Sequence, residues 1–136
     1  MEGVIDLSYE ALSEKSDIPN TSGQGWLAAE LSEGDWTIKV SDEALEEIDQ
    51  MVALIRNRPL PMLLRSIMDF DIIHLRSLYK KVKKVCDRGA GFAVIDKLPI
   101  DEYDIDEILA IYWVLGQLIG TNVAQKWNGT MIYDVT

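Results

Sequence analysis

Apolar residues recur at the three- and four-residue spacing of an amphipathic helix in three stretches of the chain. The first helix is predicted from Ser41, a favourable N-cap, to the prolines at positions 59 and 61. The second is predicted from about Asp71 to Asp87. The expected core-facing residues are Leu45, Ile48, Val52 and Ile55 in the first helix, and Ile72, Leu75, Leu78, Val82 and Val85 in the second. Each helix therefore has one predicted buried face.

The third predicted helix begins after Asp104 and is more apolar than the other two. Asp104 and Glu107 have the spacing of a capping box at its N-terminus. The expected core stripe is Ile105, Ile108, Tyr112, Leu115 and Ile119, widened by Leu109, Ile111 and Val114. The pattern predicts a helix buried on most sides. Gly120 has the position of a C-terminal cap glycine, and Gly116 indicates a close approach by another backbone.

Shorter patterns of β type lie between and after these helices. Asp35–Val40 and Gly91–Asp96 predict strands, the second of them buried, and Gly25–Leu31 predicts a helical turn. Near the C-terminus, Thr121–Gln125 and Gly129–Val135 predict two further strands, and the last has no evident partner. The expected fold class is α/β (α+β), with three helices packed on a small set of strands.

The composition fits one domain with a hydrophobic core. The chain has 136 residues, of which 48% are apolar, and we divide it into a polar arm at 1–24 and a domain at 25–136. A net charge of −10 argues against nucleic acid and anionic membranes as partners. The longest apolar run, Ile108–Ile119, is shorter than the about 20 residues that span a bilayer. A single cysteine excludes an internal disulfide, so we expect a cytoplasmic protein.

Few residues are candidates for chemistry. The chain has one histidine, His74, and one cysteine, Cys86, too few for a four-ligand zinc site or an iron site of two histidines and a carboxylate. We expect His74 on the polar face of the second helix and Cys86 as an inert buried thiol. The basic run Lys80–Lys84 and the acidic run Asp101–Glu107 are typical of helix ends, where they complement the dipole. The glycines of Asp87–Phe92 lead from a helix into a strand, the reverse of a phosphate-binding loop.

One long segment resembles a known family. DRGAGFAVIDKLPIDEYDIDEILAIYWVLGQLIGTNVAQKWNG, Asp87–Gly129, combines a Gly-Phe strand, a Leu-Pro turn, an acidic helix start, Tyr-Trp, two glycines four apart, then Gln and Gly. In this order it resembles the N-terminal part of the TauD/TfdA-like (taurine dioxygenase-like) Fe(II)/2-oxoglutarate-dependent oxygenases. The upstream GWLAAEL and DWTIKVSDEALEEI extend the resemblance, which covers roughly 25–136. It implies the opening strands of a double-stranded β-helix (jelly roll), incomplete in this chain.

The resemblance implies a non-haem dioxygenase acting on a small molecule, with Fe(II) and 2-oxoglutarate as cofactors of the complete enzyme. The family's His-x-Asp/Glu motif, distal histidine and 2-oxoglutarate-binding arginine lie downstream of the matching segment, so we expect this chain alone to bind neither cofactor and to be inactive. Gln125 and Asn128 are the expected substrate-binding residues. Lys97, Ala124 and Lys126 depart from the Gly, Pro and Asn that are common in relatives, which leaves the substrate open.

A second hypothesis is a stand-alone, non-catalytic interaction module of the same origin. Its open strand edge at Met131–Val135 would bind a partner by strand addition, either a second copy of the chain or a complementing chain. The coding DNA after Thr136 distinguishes the two hypotheses. A His-x-Asp/Glu motif in frame would favour the oxygenase, and a stop codon would favour the module.

Overall fold

The computed structural model describes residues 25–133 and 135, which form a mixed α+β fold of three helices and a two-stranded sheet. The strands are β1 (Thr37–Ile38) and β2 (Val94–Ile95), and the helices are α1 (Asp42–Asn57), α2 (Ile73–Arg88) and α3 (Ile105–Gly116). Single turns of 3₁₀ helix lie at Ala28–Glu30, Glu33–Asp35, Met62–Leu64, Ile67–Asp69 and Ile100–Glu102. The predicted arm at 1–24 lies outside the described residues.

The three predicted helices are confirmed, and two of them begin with the predicted caps. At the start of α1, the Ser41 hydroxyl accepts a hydrogen bond from the backbone N–H of Ala44 at 3.3 Å. At the start of α3, Glu107 Oε2 accepts one from the backbone N–H of Asp104 at 3.0 Å. Both bonds satisfy backbone donors that have no partner within the helix. The N-termini of α1 and α3 are thus determined by residues within one turn.

The N-terminus of α2 is capped by a different helix. Its own N-cap residue, Ile72, offers no side-chain acceptor. Instead, the buried carboxylate of Glu47 on α1 accepts hydrogen bonds from the backbone N–H groups of His74 and Leu75, both at 2.8 Å. A carboxylate at this position also interacts favourably with the positive end of the helix dipole. Glu47 therefore fixes the position of α2 against α1.

The core lies between the three helices. Its most deeply buried side chains are Ile48, Met51, Val52, Ile72, Leu75, Val114 and Leu115. The predicted apolar faces of α1 and α2 are confirmed, although Leu45 and Val85 are only half-buried at their margins. Burial of such side chains contributes about 1.5–3 kcal/mol each before the cost of ordering the chain. Packing among three helices therefore holds this fold together.

The predicted core stripe of α3 is wrong at three positions. Ile105, Tyr112 and Ile119 are exposed, and Tyr112 retains 67% of its accessible surface. Leu115 is the one residue of that stripe that is fully buried, with 2% exposed. The face that enters the core consists of Ala110, Ile111, Trp113, Val114 and Leu115. The helix is apolar on two sides; α1 and the turn at Met62–Leu64 pack against it, while the side with Ile105 and Tyr112 stays exposed.

The C-terminal end of α3 also differs from the prediction. The helix ends at Gly116, and Gly120 lacks the positive φ of a left-handed cap. The backbone N–H of Gly120 donates to the carbonyl of Gly116 at 3.2 Å, so the chain leaves the helix through a tight turn. A Cβ on Gly116 would lie 3.1 Å from Oδ1 of Asn122. The close approach at this glycine is therefore made by a side chain, not by a backbone.

The sheet is smaller than predicted. β1 and β2 pair in parallel, with Thr37 opposite Val94 and Ile38 opposite Ile95. One residue of β2 is exposed and the other half-buried, so the predicted buried strand is wrong. Within the described residues, 121–125 and 129–133 are not strands either. A strand needs a neighbour for its backbone groups, and residues 121–133 instead form a turn in which Gln125 N–H donates to the Thr130 carbonyl at 2.7 Å.

Candidate functional site

A cleft of about 530 Å³ lies between α3 and the segment at 122–133. Its apolar lining residues are Ile108, Leu109, Val123, Met131 and Ile132, and its lining residues with polar groups are Tyr112, Trp113, Asn122, Gln125 and Tyr133. Ligand pockets in proteins commonly have volumes of about 300–1,000 Å³ and combine an apolar lining with a few polar groups. The cleft, named here the α3 cleft, is therefore the candidate binding site.

Asn122 attaches the segment at 122–133, which forms the wall of the α3 cleft opposite the helix, to the end of α3. Its Nδ2 donates a hydrogen bond to the carbonyl of Trp113 at 2.9 Å, in the last turn of α3. Carbonyls at a helix C-terminus have no partner within the helix. The missing side chain at Gly116 leaves room for the Asn122 amide. Sequence reasoning missed Asn122, and Gly116 was the one signal that something packs closely at this point.

The two expected substrate-binding residues occupy different places. Gln125 is exposed and lines the α3 cleft, and its Nε2 donates to the Val123 carbonyl at 3.0 Å. Asn128 does not line the cleft. Its Oδ1 accepts hydrogen bonds from the Thr130 N–H at 3.2 Å and from the Thr130 hydroxyl at 2.7 Å, so it shapes the turn. The substrate-binding roles of both residues stay predictions.

A positive charge lies beside the cleft. The ammonium group of Lys126 is 4.6 Å from the centroid of the Tyr133 ring, within the range of a cation–π contact. Tyr133 lines the cleft, and sequence reasoning missed it because its alternating surroundings predicted a strand. The contact places the cation of Lys126 near groups that can hydrogen-bond. This part of the cleft therefore suits a ligand with an acceptor or a negative charge.

The residues present do not fit an Fe(II) site. Across residues 25–133 and 135, no three His, Cys, Asp or Glu side chains are close enough together to hold a metal ion. His74 is exposed on α2, as predicted for its polar face. Cys86 is half-buried and packs against the core. The side chains of the α3 cleft are suited to binding by apolar contact and hydrogen bonding.

A second cavity of about 760 Å³ lies between the C-terminal end of α1 and the start of α3. Two of its charged side chains, Arg56 and Glu107, are paired with each other. Arg56 donates two hydrogen bonds to the carboxylate of Glu107, at 2.6 Å and 3.1 Å. The buried Arg65 donates to the carbonyl of Arg58 at 3.1 Å and so helps to cap α1. These arginines join structural elements, and the cavity is a weaker candidate for a site.

The Arg56–Glu107 pair predicts a loss of stability in acid. The hydrogen bonds from Arg56, and next the one from the Asp104 N–H, lower the pKa of Glu107 from its ordinary value of 4.5. A carboxylate with a lowered pKa stabilises the fold above its unfolded-state pKa, and this contribution is lost as the pH falls through the folded-state value. We expect the free energy of unfolding of Glu107→Gln to depend less on pH below about 4.5 than that of the parent chain. Chemical denaturation between neutral pH and strong acid measures this. Parallel pH profiles for the two proteins would contradict the assignment.

No model of a known protein family matches the chain, and no curated protein matches it. Within residues 25–133 and 135, none of the helices combines the length and the apolar character needed to cross a membrane.

Proposed function

We propose that this chain is the N-terminal scaffold and one wall of the substrate pocket of a cytoplasmic, non-haem Fe(II)/2-oxoglutarate-dependent dioxygenase that acts on a small molecule. Its single histidine cannot form an iron triad, so the ligands of iron and of 2-oxoglutarate would come from residues outside this sequence. The observation that carries the proposal is the outward apolar face of α3.

Within the described residues, the outer face of α3 is apolar and is covered only in part, by the segment at 122–133. Ile105 and Tyr112 project from the helix, and Ile119 and Val123 follow in the next turns, all of them exposed. Trp127 is fully exposed. A helix that is apolar on two opposite sides is typical of one that lies between two packed layers. Contiguous exposed apolar surface of this kind marks an interface.

A jelly-roll sheet laid over this face would bury it. The resemblance implies such an arrangement, with the three helices as one layer and the sheet as the next. The same covering layer would close the α3 cleft into a pocket with Gln125 and Tyr133 in its wall. The two short strands of this chain offer free edges at which such a sheet can continue.

Turnover assays test the proposal. We expect residues 1–136 to form no succinate from 2-oxoglutarate in the presence of Fe(II) and O₂, because the chain lacks an iron triad. The product of the reading frame extended past Thr136 is expected to carry a His-x-Asp/Glu motif and to form succinate. The matched control is that longer product with the histidine of the motif replaced by alanine. Fe(II)-dependent succinate formation by residues 1–136 alone would contradict the proposal.

The outward face of α3 also favours the second candidate, a non-catalytic module that binds a second copy of the chain. Residues 131–133 form no strand, so this contact would use the helix face instead of the predicted strand edge. Two results together would favour the module. They are a stop codon directly after Thr136 and a dimer by sedimentation that Tyr112→Asp disrupts.

A further inference from the structure

A small apolar pocket, which shares Ile108 and Tyr112 with the α3 cleft, opens between the helices and the loop at 98–103. Its volume is about 120 Å³. The floor consists of Ile48, Ile111 and Leu115, which are all buried, and the rim includes Tyr79, Tyr103 and Tyr112. We propose that this pocket binds a molecule with a single aromatic ring and one hydroxyl group, of the phenol class.

The size and lining of the pocket favour one six-membered ring. An apolar cavity of about 150 Å³ lined by aliphatic and aromatic side chains stays dry and binds benzene. The pocket of 120 Å³ is of the same order, which is the space that one six-membered ring fills. Its floor belongs to the hydrophobic core, in which Ile48, Ile111 and Leu115 are packed among buried neighbours. Three tyrosine rings at the rim offer edge and face contacts to an aromatic ligand.

The hydroxyl requirement comes from Tyr79. The hydroxyl of Tyr103 is already engaged, because it donates to the carboxylate of Asp49. Tyr79 is buried as a whole residue, but its hydroxyl oxygen still reaches solvent, and within the described part of the chain this hydroxyl makes no hydrogen bond. Burial, and next the neighbouring Tyr112, raise the pKa of Tyr79 to about 12. The hydroxyl group of the Tyr79 side chain therefore stays neutral at physiological pH, and it can both donate and accept a hydrogen bond.

This site does not depend on the proposed dioxygenase function. Every lining residue belongs to the helical core or to the 98–103 loop of this chain. Binding is therefore expected from residues 1–136 alone, without iron, 2-oxoglutarate or a longer reading frame. Failure of one proposal leaves the other unaffected.

The test is an NMR titration of the whole chain with phenol and, separately, with benzene. We expect saturable shifts of the methyl groups of Ile48, Ile111 and Leu115, with phenol bound about threefold to tenfold more tightly than benzene because of one added hydrogen bond. In Tyr79→Phe the ratio of the affinity for phenol to the affinity for benzene is expected to fall to about one. The matched control is Tyr133→Phe in the α3 cleft, which should leave the ratio unchanged.

A second variant blocks the pocket without entering the core. Ile100 lies at the rim and is exposed, so Ile100→Trp should fold and should weaken the binding of both compounds at least tenfold. Ile105→Trp, an exposed position outside the pocket, should bind as the parent chain does. The proposal is overturned if neither compound produces saturable shifts, if the shifts map to Val123 and Met131 instead, or if Tyr79→Phe keeps the parent ratio.

Discussion

Replacing Glu47 with alanine is expected to lower the free energy of unfolding by about 3 kcal/mol. Its carboxylate accepts two hydrogen bonds of 2.8 Å from the first turn of α2, and the residue is buried. Removing it leaves two backbone N–H groups without a partner, and α2 has no cap of its own. Each charge-assisted hydrogen bond contributes about 1.5–3 kcal/mol, and the two are not independent. Urea denaturation followed by far-UV circular dichroism measures the change.

Two control variants separate capping from helix propensity. Glu46 precedes Glu47 on α1 and is exposed, so Glu46→Ala is expected to change stability by no more than about 0.5 kcal/mol. Glu47→Gln keeps one oxygen acceptor and loses the charge, so it should lose about half as much stability as Glu47→Ala. Equal effects of Glu46→Ala and Glu47→Ala would show that the carboxylate of Glu47 does not cap α2.

The second prediction with a large effect is a difference in stability between variants on the two apolar faces of α3. Leu115→Ala is expected to cost about 2–5 kcal/mol, because it creates a cavity among fully buried neighbours. Tyr112→Ala, on the outward face, is expected to cost only about 0.5 kcal/mol in residues 1–136. Thermal or urea unfolding of the two variants beside the parent chain makes the comparison. The sequence pattern alone assigns both residues to one core stripe and predicts similar losses.

The same pair of variants also bears on the proposed function. If a sheet covers the outward face in a longer reading-frame product, Tyr112→Ala should destabilise that product by about 2–4 kcal/mol, because the ring is then buried. The informative quantity is the loss of unfolding free energy caused by Tyr112→Ala in the longer product minus the loss that it causes in residues 1–136. A large loss for Tyr112→Ala in residues 1–136, at concentrations where the chain is monomeric, would show that the face is already covered.

The helices were predictable because their signals are local. The Ser41 and Glu107 caps each bond to a backbone group three residues away. Apolar periodicity over α1 and α2 identified their inner faces, because each helix has a polar side that cannot enter the core. The expectation that Gln125 lies in a substrate pocket comes from the family resemblance and not from a local pattern; Gln125 lines the α3 cleft, and its role stays a prediction.

The wrong predictions share one cause, which is the absence of a local signal. For α3 the apolar pattern covers more than one face, so periodicity could not select the buried one. The strand predictions after α3 rested on alternating apolar and polar residues, and within the described residues the N–H of Gln125 instead bonds to the carbonyl of Thr130 across a turn. Asn122 bonds to the carbonyl of Trp113 across a turn, and Tyr133 and the pocket beside Tyr79 depend on segments further apart in sequence, so no spacing rule indicates them.

The sequence by itself therefore determined where α1 and α3 begin, which faces of α1 and α2 enter the core, and that this chain cannot build an iron triad. Only the tertiary structure decided which side of α3 is buried, that Glu47 caps α2 from 27 residues away, and that the strands shorten to two residues each. The physical reason is the range of the interactions. Caps and helical hydrogen bonds join residues within one turn, whereas burial and strand pairing depend on which distant segments arrive as neighbours.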